Sequence, residues 1–240
     1  MINTLDEHAA AYQGNSLYDF DNEILLTWYP ERVLHHVGTA RSLLELGLGH
    51  GFTAAIFSPH FERHVVLEGS PAIIRNFQAK HPGCRAEIVE TYFEAFATGE
   101  LFDVIVMGFI LEHVDDPLIV LNRFRKFLAP GGKMFLAVPN AEALNRRLGH
   151  YAGLLEDMGI LSENDISQGH KRYYTVDSLR DQVSKAGYQI NWMEGLYLKP
   201  LTTSQIVSLR LDRKILNALC HVGIEYPELC CGLLVEISAQ

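Results

Sequence analysis

One short stretch of this chain concentrates residues able to do chemistry. Leu44-Glu45-Leu46-Gly47-Leu48-Gly49-His50-Gly51 sets a carboxylate at the end of an apolar run and follows it with three glycines at alternate positions. Glycines after a strand permit a tight turn and let the backbone approach a ligand closely. A second carboxylate, Glu68, closes the next apolar run about 20 residues on, the offset at which an acidic side chain can accept both hydroxyls of a ribose. The bland reading of Glu68 alone is an exposed charge at a strand end.

The spacing of the loop is G-x-G-x-G, not the G-x-G-x-x-G of dinucleotide sites. A carboxylate at position 45 would repel a pyrophosphate. It suits the ammonium of an amino acid, directly or through water. Together these residues favour S-adenosylmethionine (SAM) over a nicotinamide cofactor.

Candidates for proton transfer lie elsewhere. His113 follows the fourth apolar run, near the expected methyl position. His170 stands in Gly169-His170-Lys171-Arg172-Tyr173-Tyr174, and Tyr12 and Tyr18 lie near the N-terminus. An imidazole suits general-base work near neutral pH. The run from His170 to Tyr174 joins a proton acceptor, cations and aromatic surface, which fits a polar or phosphorylated acceptor. Each of these residues also has a structural reading: a histidine that shapes a helix entry, a hydrogen bond that holds a loop, or aromatic packing in a lid.

The elements that must position these groups follow a regular rhythm. Strands are expected at 41–46, 64–67, 85–89, 102–107 and 133–138. Helices are expected at 52–57, 71–80 and 117–128 between them. Such alternation gives parallel strands with right-handed crossovers and helices on both faces. Ligands then bind at the carboxyl ends of the strands. After Pro139 the pattern changes. Residues 140–172 are polar and too long for a simple connection, so they read as a helical insertion near the active site. A helix from Thr175, a strand over 188–198, a helix over 203–219 and a buried strand over 228–237 complete the chain. The first forty residues read as a helical lid beside the cofactor mouth. The whole chain is thus one domain, with a cofactor-binding core over 41–138 and substrate-side elements at 140–172 and 200–220.

Composition bounds the function. A chain of 240 residues with 48% hydrophobic and 20% charged residues is an ordinary folded protein. Its formal net charge of −9 and merely short basic groupings argue against nucleic acid as a partner. No apolar run approaches the roughly 20 residues needed to span a bilayer, and Met1 to Gln13 lack a signal pattern. The expected setting is cytoplasmic, without membrane association, as a monomer or homodimer. Cys84, Cys220, Cys230 and Cys231 match no zinc spacing and read as buried thiols, so no metal is expected.

In order and spacing, several segments resemble the class I SAM-dependent methyltransferases, particularly the small-molecule group. They are Glu45 to Gly51, Val66-Leu67-Glu68-Gly69-Ser70, Phe102-Asp103-Val104-Ile105-Val106-Met107, Leu111-Glu112-His113-Val114-Asp115-Asp116-Pro117 and Leu128-Ala129-Pro130-Gly131-Gly132. The resemblance covers residues 40–140 well and 168–190 more loosely. Leu48 departs from it, since the family often has a small or polar residue there. The resemblance implies a Rossmann-like seven-stranded sheet with helices on both faces and the last strand antiparallel. It implies that Glu45, Gly47, Leu48, Gly49, Gly51, Phe52, Glu68, Gly69 and Ser70 serve the cofactor. Thr91-Tyr92-Phe93 should flank the adenine, an assignment whose alternative is that Tyr92 and Phe93 are core aromatics. Met107, Gly108, Phe109 and His113 should line the methionine side, with small Gly108 letting donor and acceptor approach. His170 and His113 are then the catalytic candidates, and Tyr12, Tyr18, His170, Tyr173 and Tyr174 the substrate contacts.

The reading is methyl transfer from SAM to a hydroxyl or amine of a small molecule, such as a sugar nucleotide, a polysaccharide precursor or a natural-product intermediate. Competing readings are an RNA or protein methyltransferase, a non-catalytic SAM-binding module and an NAD-dependent enzyme. Acidic charge and the absence of an Asn-Pro-Pro-Tyr-type motif weigh against the first.

Overall fold

A computed structural model describes residues 5–6 and 17–239. Tyr12 lies outside the described residues. The chain opens with helix α1 (Asp19–His36), then strand β1 (Ser42–Leu46) and helix α2 (Phe52–Phe57). Next come β2 (Arg63–Glu68), α3 (Pro71–Lys80), β3 (Glu87–Glu90), β4 (Phe102–Gly108), α4 (Pro117–Phe124) and β5 (Leu128–Pro139). The second half holds α5 (Leu144–Tyr151), α6 (Glu163–Ser167), α7 (Val176–Lys185), β6 (Tyr188–Leu196), α8 (Thr203–Leu209), α9 (Arg213–Gly223) and β7 (Gly232–Ala239).

The strands form one seven-stranded sheet in the order β3-β2-β1-β4-β5-β7-β6. Strands β1 to β5 pair in parallel, while β7 runs antiparallel to both β5 and β6. The expected Rossmann-like sheet with an antiparallel last strand is what forms. The centre is apolar on both faces because helices cover both. Alternate residues divide cleanly between two cores. Leu44, Leu46, Ile105, Met107, Met134, Leu136 and Val138 pack on one face. Leu43, Val104, Val106, Phe135 and Ala137 pack on the other, with Tyr29 and Val33 of α1.

Local chemistry fixes several boundaries. Ser70 caps α3 by accepting from Ile73 N, and Pro71 fills the first helical position. Asp116 and Pro117 do the same for α4. Three expectations shift. The 203–219 helix is two helices, broken where Arg210 takes φ +48° and Asp212 caps α9. Strand β5 begins at Leu128, which pairs with Phe102 ahead of an irregularity at the Pro130-Gly131-Gly132 turn. Strand β7 begins at Gly232, since Pro227 directs residues 227–229 into a short 3-10 turn. Within 140–172 only α5 and α6 are helical. No helix among the described residues is long and apolar enough to cross a membrane.

Candidate active site

A cavity of about 840 Å³ opens at the carboxyl ends of β1, β2, β4 and β5, where open α/β sheets place ligands. That volume lies in the upper part of the range for small-molecule sites. Its walls come from α1, the loops after β1, β2, β3 and β4, the insertion after β5, and the segment after β6.

The loop after β1 is built on glycine conformations. Gly47, Gly49 and Gly51 have φ of +80°, +46° and +84°, a region costly for other residues. A Cβ on Gly47 would sit 2.7 Å from Ile110 Cδ1, and one on Gly51 2.6 Å from Phe77 Cδ2. Glu68 reaches under this loop, accepting from Leu48 N at 3.0 Å and from Ser70 N at 2.8 Å. Burial pushes the Glu68 carboxyl above its ordinary value, although backbone donors from Leu48, Ser70, Gly69 and Gly49 oppose that. Glu68 also lines the cavity. Only the Leu48 and Ser70 amides make regular hydrogen bonds to Glu68, and a carboxylate has about four acceptor sites, so a ribose diol would compete there with the weaker backbone contacts.

Gly47, Leu48, Gly49, Gly51, Phe52, Glu68, Gly69, Thr91, Tyr92, Phe93, Gly108 and Phe109 all line the cavity. Thr91 N donates to Glu68 O at 2.9 Å, which sets the β3 loop beside the β2 end. Tyr92 is half exposed at the rim, while Phe93 packs edge-on to Phe124 and gives its carbonyl to Arg123. This arc, with paired acidic and aromatic walls, fits SAM.

Three expected cofactor contacts do not reach the cavity. Glu45 is buried beneath the loop, taking the Thr53 hydroxyl on one oxygen and His64 Nε2 at 2.9 Å on the other. Its influence passes through Thr53, which does line the cavity. Met107 is wholly buried in the core, because the two-residue period of β4 turns it away from the opposite-facing Val106. Ser70 is spent on capping α3, and its hydroxyl also donates to Asp6 Oδ1 at 2.5 Å. The reading of Gly108 also changes. The space its missing side chain leaves is filled by Tyr29, whose hydroxyl would overlap a Cβ there.

Beyond Gly108 the chain turns sharply. Phe109 has φ +57°, a conformation costing a non-glycine residue about 1–3 kcal/mol. The turn delivers Glu112 and His113 to the cavity. Glu112 has no exposed surface, and neither carboxylate oxygen has a hydrogen-bond partner among the described residues. Burial pushes its pKa up to about 7, with His170 pulling the other way.

His170 arrives from 57 residues downstream, and the connection is visible. Arg172 donates to Leu111 O at 2.7 Å and Val114 O at 2.6 Å, and Lys171 N donates to Glu112 O at 2.8 Å. These bonds dock the His170 segment against the turn after β4. The His113 and His170 rings meet edge-on with centroids 4.7 Å apart. His170 Nδ1 lies 3.1 Å from Asp165 Oδ1, an ion-pair contact too bent for a regular hydrogen bond. Burial disfavours its cation, yet Asp165 and then Glu112 outweigh burial and hold His170 above the ordinary histidine value. Asp165 is itself fixed by the Ser162 capping box and by the Tyr173 hydroxyl at 2.7 Å. Burial opposes its charge, but His170, Ser162 and Tyr173 hold its carboxyl far below the usual range.

Glu112, His113 and His170 each offer a ligand atom, all within 4.8 Å of one another. The sequence reading assigned no metal. This trio can accept a proton or hold a divalent cation. Glu112 was not anticipated as a functional residue, although it adjoins His113 in Leu111-Glu112-His113-Val114. The available signal was a carboxylate between apolar Leu111 and a histidine in the turn after a strand.

The remaining substrate candidates divide. Tyr18 and Tyr173 line the cavity. Tyr174 does not; it is buried in the core, where the alternation 173/174 turns it inward. Lys171 and Arg172 were read as cations for an acceptor. Lys171 pairs with Asp115, and Arg172 is consumed by backbone carbonyls. Asp21, Asn145, Lys199 and Thr203 also line the cavity and were not anticipated.

Comparison with known proteins gives a consistent picture. Residues 24–191 match the family described as "Methyltransferase domain". A ubiquinone biosynthesis O-methyltransferase of Parvibaculum lavamentivorans is 28% identical over 80% of this chain and 79% of its own. The protein of the same name from Cereibacter sphaeroides is 29% identical over 70% of this chain and 68% of its own. Among solved structures, the N-methyltransferase NodS of Bradyrhizobium japonicum with S-adenosylhomocysteine superposes with a TM-score of 0.60. It is 15% identical and the match covers 99% of this chain and 98% of that one.

Proposed function

The chain belongs to the methyltransferase-domain family and is a class I SAM-dependent methyltransferase, and from that premise we propose that its acceptor is a hydroxyl group of a small molecule. When bound, SAM supplies an electrophilic methyl group on a sulfonium. The protein's task is to align the acceptor and to remove its proton. A hydroxyl gains from a positioned proton acceptor as the new bond forms, whereas an amine needs only its lone pair.

The observation that carries the reading is the unpartnered Glu112 carboxylate, buried beside His113 and His170 in the cavity wall. A polar group left so is costly unless a ligand completes it. His170, steadied by Asp165, offers the imidazole, and Glu112 offers the charge that stabilises an imidazolium. The two curated relatives are named O-methyltransferases, which agrees.

A second reading of the same trio is a divalent cation held by Glu112, His113 and His170, which would lower the acidity threshold of a bound hydroxyl in place of a base. The test is transfer of a radiolabelled methyl group to a panel of phenols, alcohols and amines, with the product identified by mass spectrometry and NMR. The reading expects methyl ethers; amine methylation with no ether would overturn it. Turnover that survives dialysis against a chelator favours the proton-accepting reading, and turnover restored only by added divalent metal favours the second.

A further inference from the structure

Away from the Glu112 end, three separate segments of the chain meet at Lys199. Its Nζ lies 2.5 Å from Asp21 Oδ2 of α1 and 2.8 Å from Thr203 Oγ1. Thr203 Oγ1 also reaches Asp21 Oδ2 at 2.5 Å. The Lys199 carbonyl accepts from Asn145 N of α5 at 3.1 Å. Asp21, Lys199 and Thr203 are all buried. The chain reaches this place through Tyr197, which follows β6 with φ +57°, as Phe109 follows β4.

All the bonding falls on one oxygen of Asp21. Its Oδ1, like Asn145 Oδ1, is shielded from solvent and has no hydrogen-bond partner among the described residues. Both residues line the same cavity as Glu112. The unfilled positions that lining residues hold on this side are therefore hydrogen-bond acceptors, and they call for donors.

The cations of the wall are already committed. Among the described lining residues, histidines aside, they are Arg146, Lys171 and Lys199, set against six carboxylates of which Asp21, Asp115 and Asp165 are themselves paired. Lys199 is held by Asp21 and Lys171 by Asp115. Arg146 is spent on the carbonyls of Met158 and Ile160 and on the Tyr173 hydroxyl. A phosphate or carboxylate entering beside Asp21 and Asn145 meets acceptor oxygens, and the cation nearest to them, Lys199, is already paired with Asp21.

We infer that Asp21 and Asn145 form a specificity site for the acceptor, receiving hydrogen bonds from hydroxyl or amino groups of a neutral or cationic small molecule and turning away phosphorylated or carboxylated ones. The inference deepens the reading of a small-molecule acceptor and rests on it. Phosphorylated sugar nucleotides, among the acceptors considered from sequence, fall outside this class.

The test uses three probes that share a ring diol and differ in charge: dopamine, 4-methylcatechol and 3,4-dihydroxybenzoate. Each is titrated by calorimetry into the full-length protein saturated with S-adenosylhomocysteine. Binding needs no turnover, so a failure of hydroxyl methylation leaves this result intact. The expected order is dopamine at least as tight as 4-methylcatechol, and both at least about tenfold tighter than the carboxylate, from one charge repelled in a partly buried site. Asp21→Asn should shrink that discrimination to less than about threefold, the repelling charge having been removed. Because Asp21→Asn leaves Lys199 unpaired and risks misfolding, the double variant Asp21→Asn/Lys199→Met serves as a charge-balanced second case, in which an amide able to donate in place of the acceptor-only carboxylate should likewise shrink the discrimination. Asn145→Leu should weaken the neutral and cationic probes by about fivefold or more through the lost acceptor. Equal or tighter binding of the carboxylate probe, binding of none of the three, or discrimination unchanged in both Asp21 variants would overturn the inference.

Discussion

The two ends of the cavity are made of different atoms. At the donor end, Glu68 is held by Leu48 N and Ser70 N, and the loop above it depends on three glycines with positive φ. At the acceptor end, side chains from α1, α5, the turn after β4 and the segment after β6 converge, and Glu112, Asp21 and Asn145 keep oxygens without partners. The donor end is complete before ligand arrives and can serve any enzyme that uses the same donor. The acceptor end is incomplete, and its unfilled oxygens carry the selectivity. Polar groups that protein atoms satisfy report on folding; those left unsatisfied in a cavity report on the ligand.

The largest effect that would sharpen this contrast is at Glu112. A buried carboxyl whose pKa rises from an ordinary 4.5 to about 7 makes the folded state bind the proton more tightly than the unfolded one. Its stabilising contribution is full below about pH 4.5 and is lost as pH rises through about 7. Glu112→Gln removes that penalty. In ligand-free protein at pH 8 it should gain roughly 3 kcal/mol of stability, at about 1.4 kcal/mol per pKa unit, and the gain should vanish near pH 4. Turnover should fall by about 100-fold or more. Urea denaturation at the two pH values checks the first statement. A variant less stable at pH 8 would make Glu112 a structural residue and erase the contrast.

At the donor end Glu68→Ala should weaken SAM binding by at least about tenfold, near 1.4 kcal/mol, through the lost ribose acceptor. Calorimetry reads this directly, and an unchanged dissociation constant would remove Glu68 from the site. The smallest effect is expected at Lys171. Its partner Asp115 is almost wholly exposed, and exposed pairs contribute little to stability. Lys171→Ala should leave stability essentially unchanged, since water screens the pair, and turnover within about twofold. A larger loss of turnover would mean that the residue reaches the acceptor, as its sequence position first indicated.

The donor end was legible in the sequence because backbone geometry leaves local marks. Gly47, Gly49 and Gly51 report their own φ values, and Glu68 ends an apolar run that can only be a strand. The expected contacts that fall outside the cavity wall there are neighbours of residues that form it. Met107 and Glu45 stand beside lining residues in sequence, yet strand alternation and the Thr53–Glu45–His64 chain turn them inward. The acceptor end was legible only in part. His113 and His170 were singled out, but their meeting depends on Arg172 bonding carbonyls about sixty positions away. Nothing local to Asp21 announces Lys199, 178 residues later. Lys171 and Arg172 show the converse, since cations that looked available are occupied by partners the sequence does not place beside them.

The division of labour itself is tested most directly at His170. The measurement is the SAM dissociation constant and the single-turnover rate of methyl transfer, taken together on wild type and His170→Ala. The account predicts affinity within about twofold and a rate lower by about 10²–10⁴, the range for a positioned acid or base. Lost SAM affinity would show that this segment closes over the donor, and an unchanged rate on a hydroxyl acceptor would show that the proton leaves by another route; either result contradicts the account.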